Sequence, residues 1–306
     1  MIYHIFANKS NIGDWLSAKG IQTALSGYSI IELFCDQPFV DDTVTRLESI
    51  RPDDFVIIGG GGLFMDYFVP FWKAFRGVSN PVKYGLWGVG FCDLIQETSL
   101  PPIFLIEEIV RTSQFCYVRD ELTRNHLSEL ELAIPVVCPS LLCFPEITPT
   151  GRGLLHVDNF STVGEMAFDQ MDELGRKFAN DTGRVFLRTN NRIRTGDEKQ
   201  LRQCLDLYRQ SDVVISSALH GCVIGIALGK KLIAVSGDRK IDSFMHAVGL
   251  QNWVCSNGDL SRLPMLLDNI EEQNSCDEQV KSFRHANEAI GRTIRTFLAD
   301  IHVSEQ

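Results

Sequence analysis

The sequence predicts an α/β protein built of two Rossmann-like domains that face a central cleft. Short apolar runs alternate with longer amphipathic stretches, the pattern of parallel βαβ units. At 306 residues the chain exceeds one ordinary domain and suits two. The alternation also breaks once, at Pro145–Gly153, where PEITPTGRG places two prolines and two glycines in a linker-like span.

In the first half, Ile2–Ala7, Ile30–Phe34, Phe55–Ile58, Lys83–Val89 and Phe115–Val118 read as strands. Helices such as Asp14–Leu25 and Pro102–Thr112 lie between them. After the break, Leu154–Val157, Arg184–Leu187, Val213–Ile215 and Leu232–Val235 read as strands. Thr162–Asn180, Asp197–Gln210, Leu219–Leu228 and Ile241–Val248 read as helices. Phe283, Ile290, Ile294 and Phe297 recur at helical spacing and mark a long terminal helix. The expected division is 1–148, 149–280, and a helix over 281–306.

Composition narrows the function. Hydrophobic residues make up 44% and charged residues 22% of the chain, ordinary for a globular protein. A net charge of −10 argues against nucleic acid, whose phosphates require a basic surface. The charge is uneven. Residues 1–148 hold 10 Lys and Arg against 18 Asp and Glu, and the remainder is nearly balanced. Arg184, Arg188, Arg192 and Arg194 crowd together there, as a solvated face or as an anion site. No run approaches the ~18 apolar residues of a membrane span. The start lacks a signal-peptide pattern, and the 9 cysteines contain no CxxC pair, so a reducing cytoplasm is the expected compartment. No HExxH or Cys/His cluster is present, so neither a metal nor a cofactor is expected.

Four segments carry the chemistry. After the first strand, Asn8–Asp14 forms a Gly-containing turn that exposes backbone N–H groups, with Asn11 or Asp14 as helix cap and Gly13 in the turn. It is not GxGxxG, so a nicotinamide fingerprint is unsupported. Next, Gly59, Gly60, Gly61 and Gly62 follow an apolar strand. Turn geometry needs one or two glycines, so the run implies a close backbone approach to a ligand, the favoured reading, or to a neighbouring helix. Third, Arg119 ends a strand at a helix start, where the helix dipole disfavours a cation. It either reaches the cleft or pairs with Asp120 or Glu121.

The fourth segment is the most telling. Val213–Ile215 runs into Ser216, Ser217, Ala218, Leu219, His220 and Gly221. Hydroxyls, free N–H groups and an imidazole meet at one strand end, which favours an anion and keeps the imidazole neutral as base or ligand. Arg239 and Lys240 follow the next strand and complete an anion pocket, unless Asp238 neutralises them.

In this order the segments resemble the polysaccharide pyruvyl transferase family. The carriers are the Asn-x-Gly-Asp turn at Asn11–Asp14, the run Gly59–Gly62, Arg119–Asp120, Ser-x-x-His-Gly at Ser217–Gly221, and Lys240 with Phe244. The resemblance spans about residues 8–250. The chain departs from it at Ala218, where many members have Arg, and at Cys138, where Asp is frequent. The resemblance implies a GT-B-like fold and transfer of a pyruvyl group from phosphoenolpyruvate to two hydroxyls of a sugar, as a ketal. The acceptor would be a sugar or a lipid-linked oligosaccharide on the first domain. Asn11, Gly13, Gly60, Gly61 and Gly62 would form the glycine loops there. The donor would sit on the second domain, held by Arg119, Ser216, Ser217, Leu219, Gly221, Arg239 and Lys240. His220 and Asp14 would be catalytic: His220 as acid, base or phosphate contact, and Asp14 to deprotonate the acceptor. The last helix would cross back over the domains, and a homo-oligomer is compatible with such a chain. Two rivals share the fold: a nucleotide-sugar glycosyltransferase or epimerase, and a non-catalytic binding protein.

Overall fold

The computed structural model describes residues 1–95, 99–145 and 151–301, apart from the side chains of 160–162. The centre of the expected linker, 146–150, lies outside the described residues.

The first sheet contains β1 (Ile2–Phe6), β2 (Ile30–Phe34), β3 (Phe55–Phe64), β4 (Tyr84–Phe91), β5 (Cys116–Val118) and β6 (Ala133–Pro135). Their order is β2-β1-β3-β4-β5-β6, and every pairing is parallel. The second holds β7 (Gly153–Val157), β8 (Val185–Thr189), β9 (Val213–Ser216), β10 (Lys231–Ser236) and β11 (Val254–Ser256), ordered β11-β10-β9-β7-β8 and again wholly parallel. Parallel strands need crossovers, and helices supply them. In the first domain these are α1 (Ile12–Ala24), α2 (Val40–Leu47), α3 (Val69–Arg76), α4 (Ile103–Thr112) and α5 (Glu121–His126). In the second they are α6 (Phe160–Thr182), α7 (Glu198–Arg209), α8 (Leu219–Ala227), α9 (Arg239–Ala247) and α10 (Leu263–Asp268).

The last helix, α11 (Asp277–Asp300), starts among the second domain's side chains and ends on the first. Val280 joins the interdomain core, while Ile294 and Leu298 pack with Ile2, Phe55 and Trp87 under the first sheet. Asn287 fixes the crossing: it accepts from Trp87 Nε1 at 3.3 Å and donates to the Val137 carbonyl at 2.8 Å.

One element differs from its expected form in a way that shapes the cleft. β3 does not stop at Ile58; it runs through all four glycines to Phe64, with its register to β4 shifting between Gly61 and Phe64. Gly60 and Gly61 have φ of 84° and 133°, values that L side chains rarely adopt. A Cβ on Gly60 would lie 2.9 Å from the backbone of Ala18, and one on Gly61 2.7 Å from Asp14 Oδ1. The close approach is to α1, so the neighbouring helix, rather than the favoured ligand, accounts for this part of the run.

Both sheets reverse strand order beside their first strand, between β1 and β3 and between β7 and β9. In open parallel sheets such switch points leave a crevice at the strand C-terminal ends. Here the two crevices face each other. Their rims are bridged by backbone bonds, Ile12 N to Asn191 O at 3.0 Å and Ile193 N to Ser10 O at 2.9 Å on one side. Arg239 N to Asp93 O at 3.0 Å closes the other. Among the described residues no helix is long and apolar enough to cross a membrane, and no group of His, Cys, Asp or Glu is arranged to hold a metal ion.

Candidate active site

A cavity of about 550 Å³ lies between the switch points. From the first domain it receives Asn8–Asp14 residues after β1, Gly62 and Met65 at the end of β3, Cys92 after β4, and Arg119 after β5. From the second it receives Asp158 and Asn159 after β7, Asn190–Arg192 after β8, Ala218–His220 after β9, and Lys240 on α9.

Asp14 stands in the first turn of α1, which Asn11 caps by accepting from Gly13 N at 2.9 Å. Burial raises the Asp14 pKa from the ordinary 3.8 to about 6, against the opposing pull of Arg119, Arg192 and Lys240. The carboxyl thus exchanges protons near neutral pH, where an acid–base group is most effective.

His220 occupies the first turn of α8. Its Nε2 lies 3.3 Å from Ser17 Oγ and 3.7 Å from Cys138 Sγ, and Ser17 and Cys138 are 3.0 Å apart. The ring crosses the domain boundary and lies directly over Gly13, where a Cβ would stand 2.0 Å from Nδ1. Only glycine lets the imidazole sit there. Burial, then the charges of Arg119 and Lys240, lower its pKa to about 3, so the imidazole is neutral in the unliganded protein. The dipole argument predicts the neutrality, but desolvation contributes most of it.

Two cations border the same end of the cavity. Arg119 is 4% exposed, donates to Phe91 O at 3.1 Å and pairs with Asp120 at 3.3 Å. Burial opposes its charge, yet Asp120 and its neighbours hold it firmly cationic. Lys240 Nζ sits 2.5 Å from Asp238 Oδ2 and 3.1 Å from Cys92 Sγ. Asp238 therefore does pair with it, while Lys240 still lines the cavity. The first intrahelical bond of α8 comes from Cys222 N, so the amides of Leu219 and His220 have no partner within the helix.

Other expected site residues lie elsewhere. Arg239 pairs with Asp93 at 2.9 Å on the rim, with its side chain 56% exposed, and does not line the cavity. Ser216 turns back on its own turn, accepting from Ala218 N at 3.1 Å and donating to Ala218 O at 2.8 Å. Ser217 accepts from Asn159 N at 2.8 Å and so orders the opposite loop. Gly221 admits the Ser216 hydroxyl, 2.1 Å from where a Cβ would be. Of the four glycines in the run, Gly62 alone borders the cavity. In the arginine cluster, Arg192 reaches the cavity, whereas Arg184 pairs with Asp212 and Glu271 at the far end of β8.

Sequence reasoning missed Cys92, Asp158, Asn190 and Asn191. Each follows a strand, which is the signal that could have found them. Asn191 adds a backbone mark, a φ of 58° in a non-glycine residue, held while its Oδ1 accepts from Tyr208 OH at 2.9 Å. A second cavity of about 470 Å³, apolar and bounded by α11, shares Arg119, Leu219 and Lys240 with the first.

The sequence pattern of the polysaccharide pyruvyl transferases matches residues 11–239, from the cap of α1 to the start of α9. The chain belongs to that family. Its members are transferases of polysaccharide modification, and the matched span contains every residue that lines the polar cavity except Ala7, Asn8, Ser10 and Lys240. Among solved structures, Staphylococcus aureus MnaA, determined with UDP, is similar at a TM-score of 0.62 and 10% identity, over 100% of this chain and 98% of its own. The UDP-GlcNAc 2-epimerase of Methanocaldococcus jannaschii, determined with UDP-GlcNAc and UDP, is similar at 0.58 and 10% identity, over 96% and 99%. At this identity the likeness is one of fold, the GT-B arrangement of two Rossmann-like domains. No functionally curated protein matches the sequence.

Proposed function

We propose that the protein transfers the pyruvyl group of phosphoenolpyruvate to two hydroxyls of a sugar in a polysaccharide or its precursor, forming a ketal. The observation that carries this is the convergence of Arg119, Lys240 and the first turn of α8 on one end of the cavity, beside a neutral His220. Phosphoenolpyruvate bears a carboxylate and a phosphate, and two cations with a helix N-terminus suit that pair of anions. No cofactor is needed, because phosphate is itself the leaving group.

In the proposed reaction the enol methylene takes a proton and becomes a methyl group, which leaves a cationic centre at C2. One sugar hydroxyl adds there, losing its proton. The C–O bond to phosphate then breaks, and a second hydroxyl adds to close the ketal, its proton leaving with the released phosphate. Asp14, ionised above pH 6, accepts a hydroxyl proton. His220 has the complementary duty. Burial is the first cause of its neutrality and the charges of Arg119 and Lys240 the second. A bound phosphate dianion offsets those charges and raises the basicity of the imidazole, which then passes a proton to the methylene. The adjoining apolar cavity suits an acceptor carried on a lipid.

Purified protein given phosphoenolpyruvate and candidate acceptors should release phosphate, and His220→Ala should abolish the release. Phosphate release unchanged in that variant would remove His220 from the mechanism. Stabilisation against heat by a nucleotide-sugar, and not by phosphoenolpyruvate, would overturn the donor in favour of the nucleotide-sugar chemistry named for the Methanocaldococcus jannaschii epimerase.

A further inference from the structure

We propose, resting on the sugar-acceptor reading above, that Asn191 and Asp158 form a hydroxyl-binding subsite on the second domain's wall of the polar cavity. Its ligand is a hexopyranose ring, held through a hydroxyl that accepts from Asn191 and donates to Asp158. The family resemblance puts the acceptor on the first domain; these two groups hold it from the second.

The two residues follow neighbouring strands, β7 and β8, whose last residues Val157 and Thr189 are partners in register. Thr189 joins them. Its carbonyl accepts from Asp158 N at 3.0 Å, and its hydroxyl accepts from Asn191 N at 3.2 Å. Asn191 O in turn accepts from Ile12 N at 3.0 Å, and its Oδ1 from Tyr208 OH at 2.9 Å. These bonds hold a non-glycine residue at a φ of 58°, a conformation that persists only where the surroundings over-determine it. They occupy three of its four polar groups. The fourth, Nδ2, is buried and has no hydrogen-bond partner among the described residues.

Asn191 is 3% exposed and lines the cavity. A buried donor without an acceptor costs free energy, and the large majority in folded proteins are paired. Of the buried side-chain nitrogens without a partner among the described residues, that of Asn191 alone belongs to a residue of this cavity. Asn8, Asn11 and Asn190 are engaged: Asn8 Nδ2 donates to Asp36 at 2.9 Å, Asn11 caps α1, and Asn190 Oδ1 accepts from Arg192 N at 3.0 Å.

Asp158 supplies the complementary acceptor. It is 4% exposed, lines the same cavity, and pairs with Arg188 at 3.5 Å. A buried donor beside a buried acceptor matches a hydroxyl, which gives one hydrogen bond and takes two. A phosphate or carboxylate has no proton to offer Asp158 and would be repelled by it, so the pair selects a neutral polyol over an anion. Ile12 stands two residues before Asp14, so a sugar seated here adjoins the proposed base.

The test is saturation-transfer NMR with three probes, the methyl glycosides of glucose, galactose and mannose, added without phosphoenolpyruvate. At least one should bind the native protein at millimolar concentration. Asn191→Asp keeps the acceptor for Tyr208 and removes the donor. Asn191→Gly suits the positive φ and keeps the backbone bond to Ile12. Each should weaken the sugar about tenfold or more, the usual cost of leaving a buried group unpaired. The Tm shift given by phosphoenolpyruvate should stay that of the native protein. No binding of any of the three sugars, or undiminished binding in either variant, would overturn the subsite. Should a variant unfold, the side-chain amide resonance of Asn191 in the native protein decides: it moves when the sugar is added, or the subsite falls. A sugar that binds through Asn191 while phosphoenolpyruvate releases no phosphate would keep the subsite and remove pyruvyl transfer.

Discussion

The two walls of the cleft hold their charges differently. On the first domain the cation is Arg119, almost wholly buried, bonded to a carbonyl and to Asp120, and anchored at the end of a central strand. On the second domain the conspicuous cations, Arg184, Arg188 and Arg239, are each paired with carboxylates, Asp212, Asp158, Asp172 and Asp93, and none of the three lines the cavity. An uneven charge count along the chain therefore does not say which cations line the cavity. Charge totals weigh exposed and buried ions equally, whereas a ligand feels chiefly those that are fixed and desolvated. The proposed anion end is bipartite: Arg119 comes from one wall, and Lys240 and the α8 amides from the other.

The sharpest way to break that comparison is Arg119→Met. Removing one member of a buried pair strands Asp120, which caps α5 by accepting from Thr123 N at 2.8 Å. The expected destabilisation is about 3 kcal/mol, read as a lower denaturant midpoint. Donor affinity should fall ~10- to 100-fold, the usual worth of a hydrogen bond to a charged group. Unchanged donor affinity would mean that the second wall alone holds the anion.

Gly13→Ala tests how one wall positions the other's His220, the proposed catalytic group. The added methyl would overlap the His220 ring, which has Ser17 and Cys138 behind it. A displacement of this size should lower kcat about 100-fold, while the donor KM changes little because both cations remain. A rise in KM with unaltered kcat would show that His220 binds and does not react.

How far the site was legible in the sequence follows from the same geometry. Asn11, Asp14, Gly62, Arg119, Leu219, His220 and Lys240 line the cavity and are legible because a parallel strand followed by a turn announces its C-terminal end locally. The two sheets were legible for the same reason, although β6 and β11 are only three residues long and gave no apolar run to notice. What could not be read was the use of each strand end. Ser216 and Gly221 lie in the best motif, but the Ser216 hydroxyl satisfies its own turn. Gly60 and Gly61 make room for α1, a contact that exists only after folding. Arg184 precedes β8 and so stands at the wrong end of its strand, a distinction that counting arginines cannot draw.

Asp14→Asn separates function from stability. The folded pKa of about 6 lies above the ordinary 3.8. The contribution of Asp14 to stability is therefore complete below pH 4 and lost as pH rises through 6. At pH 8 the ionised carboxylate is a burden on the fold, and Asn should relieve it by about 1 kcal/mol, with no gain at pH 4. Activity should move the other way. With Asp14 as base, kcat/KM of the native protein rises through pH 6, and the Asn variant loses about 100-fold or more in kcat. A stability gain that persists at pH 4 would remove the titration argument.

The smallest expected effect sharpens the comparison most. Arg239 belongs to the motif that suggested an anion pocket, adjoins Lys240 in sequence, and differs from it in where the side chain goes. Its guanidinium lies on the rim against Asp93, half in solvent, in a pair of the kind worth about 0–1 kcal/mol. The rim contact itself survives without the side chain, because Arg239 N donates to Asp93 O at 3.0 Å through the backbone. Arg239→Ala should therefore leave the donor KM within about twofold and shift Tm by no more than ~2–3 °C. Lys240→Met in the same assay should raise donor KM at least tenfold. Equal losses from both substitutions would mean that the rim pair opens when the donor binds and that Arg239 swings inward, which makes the second wall of the cleft the adaptable one.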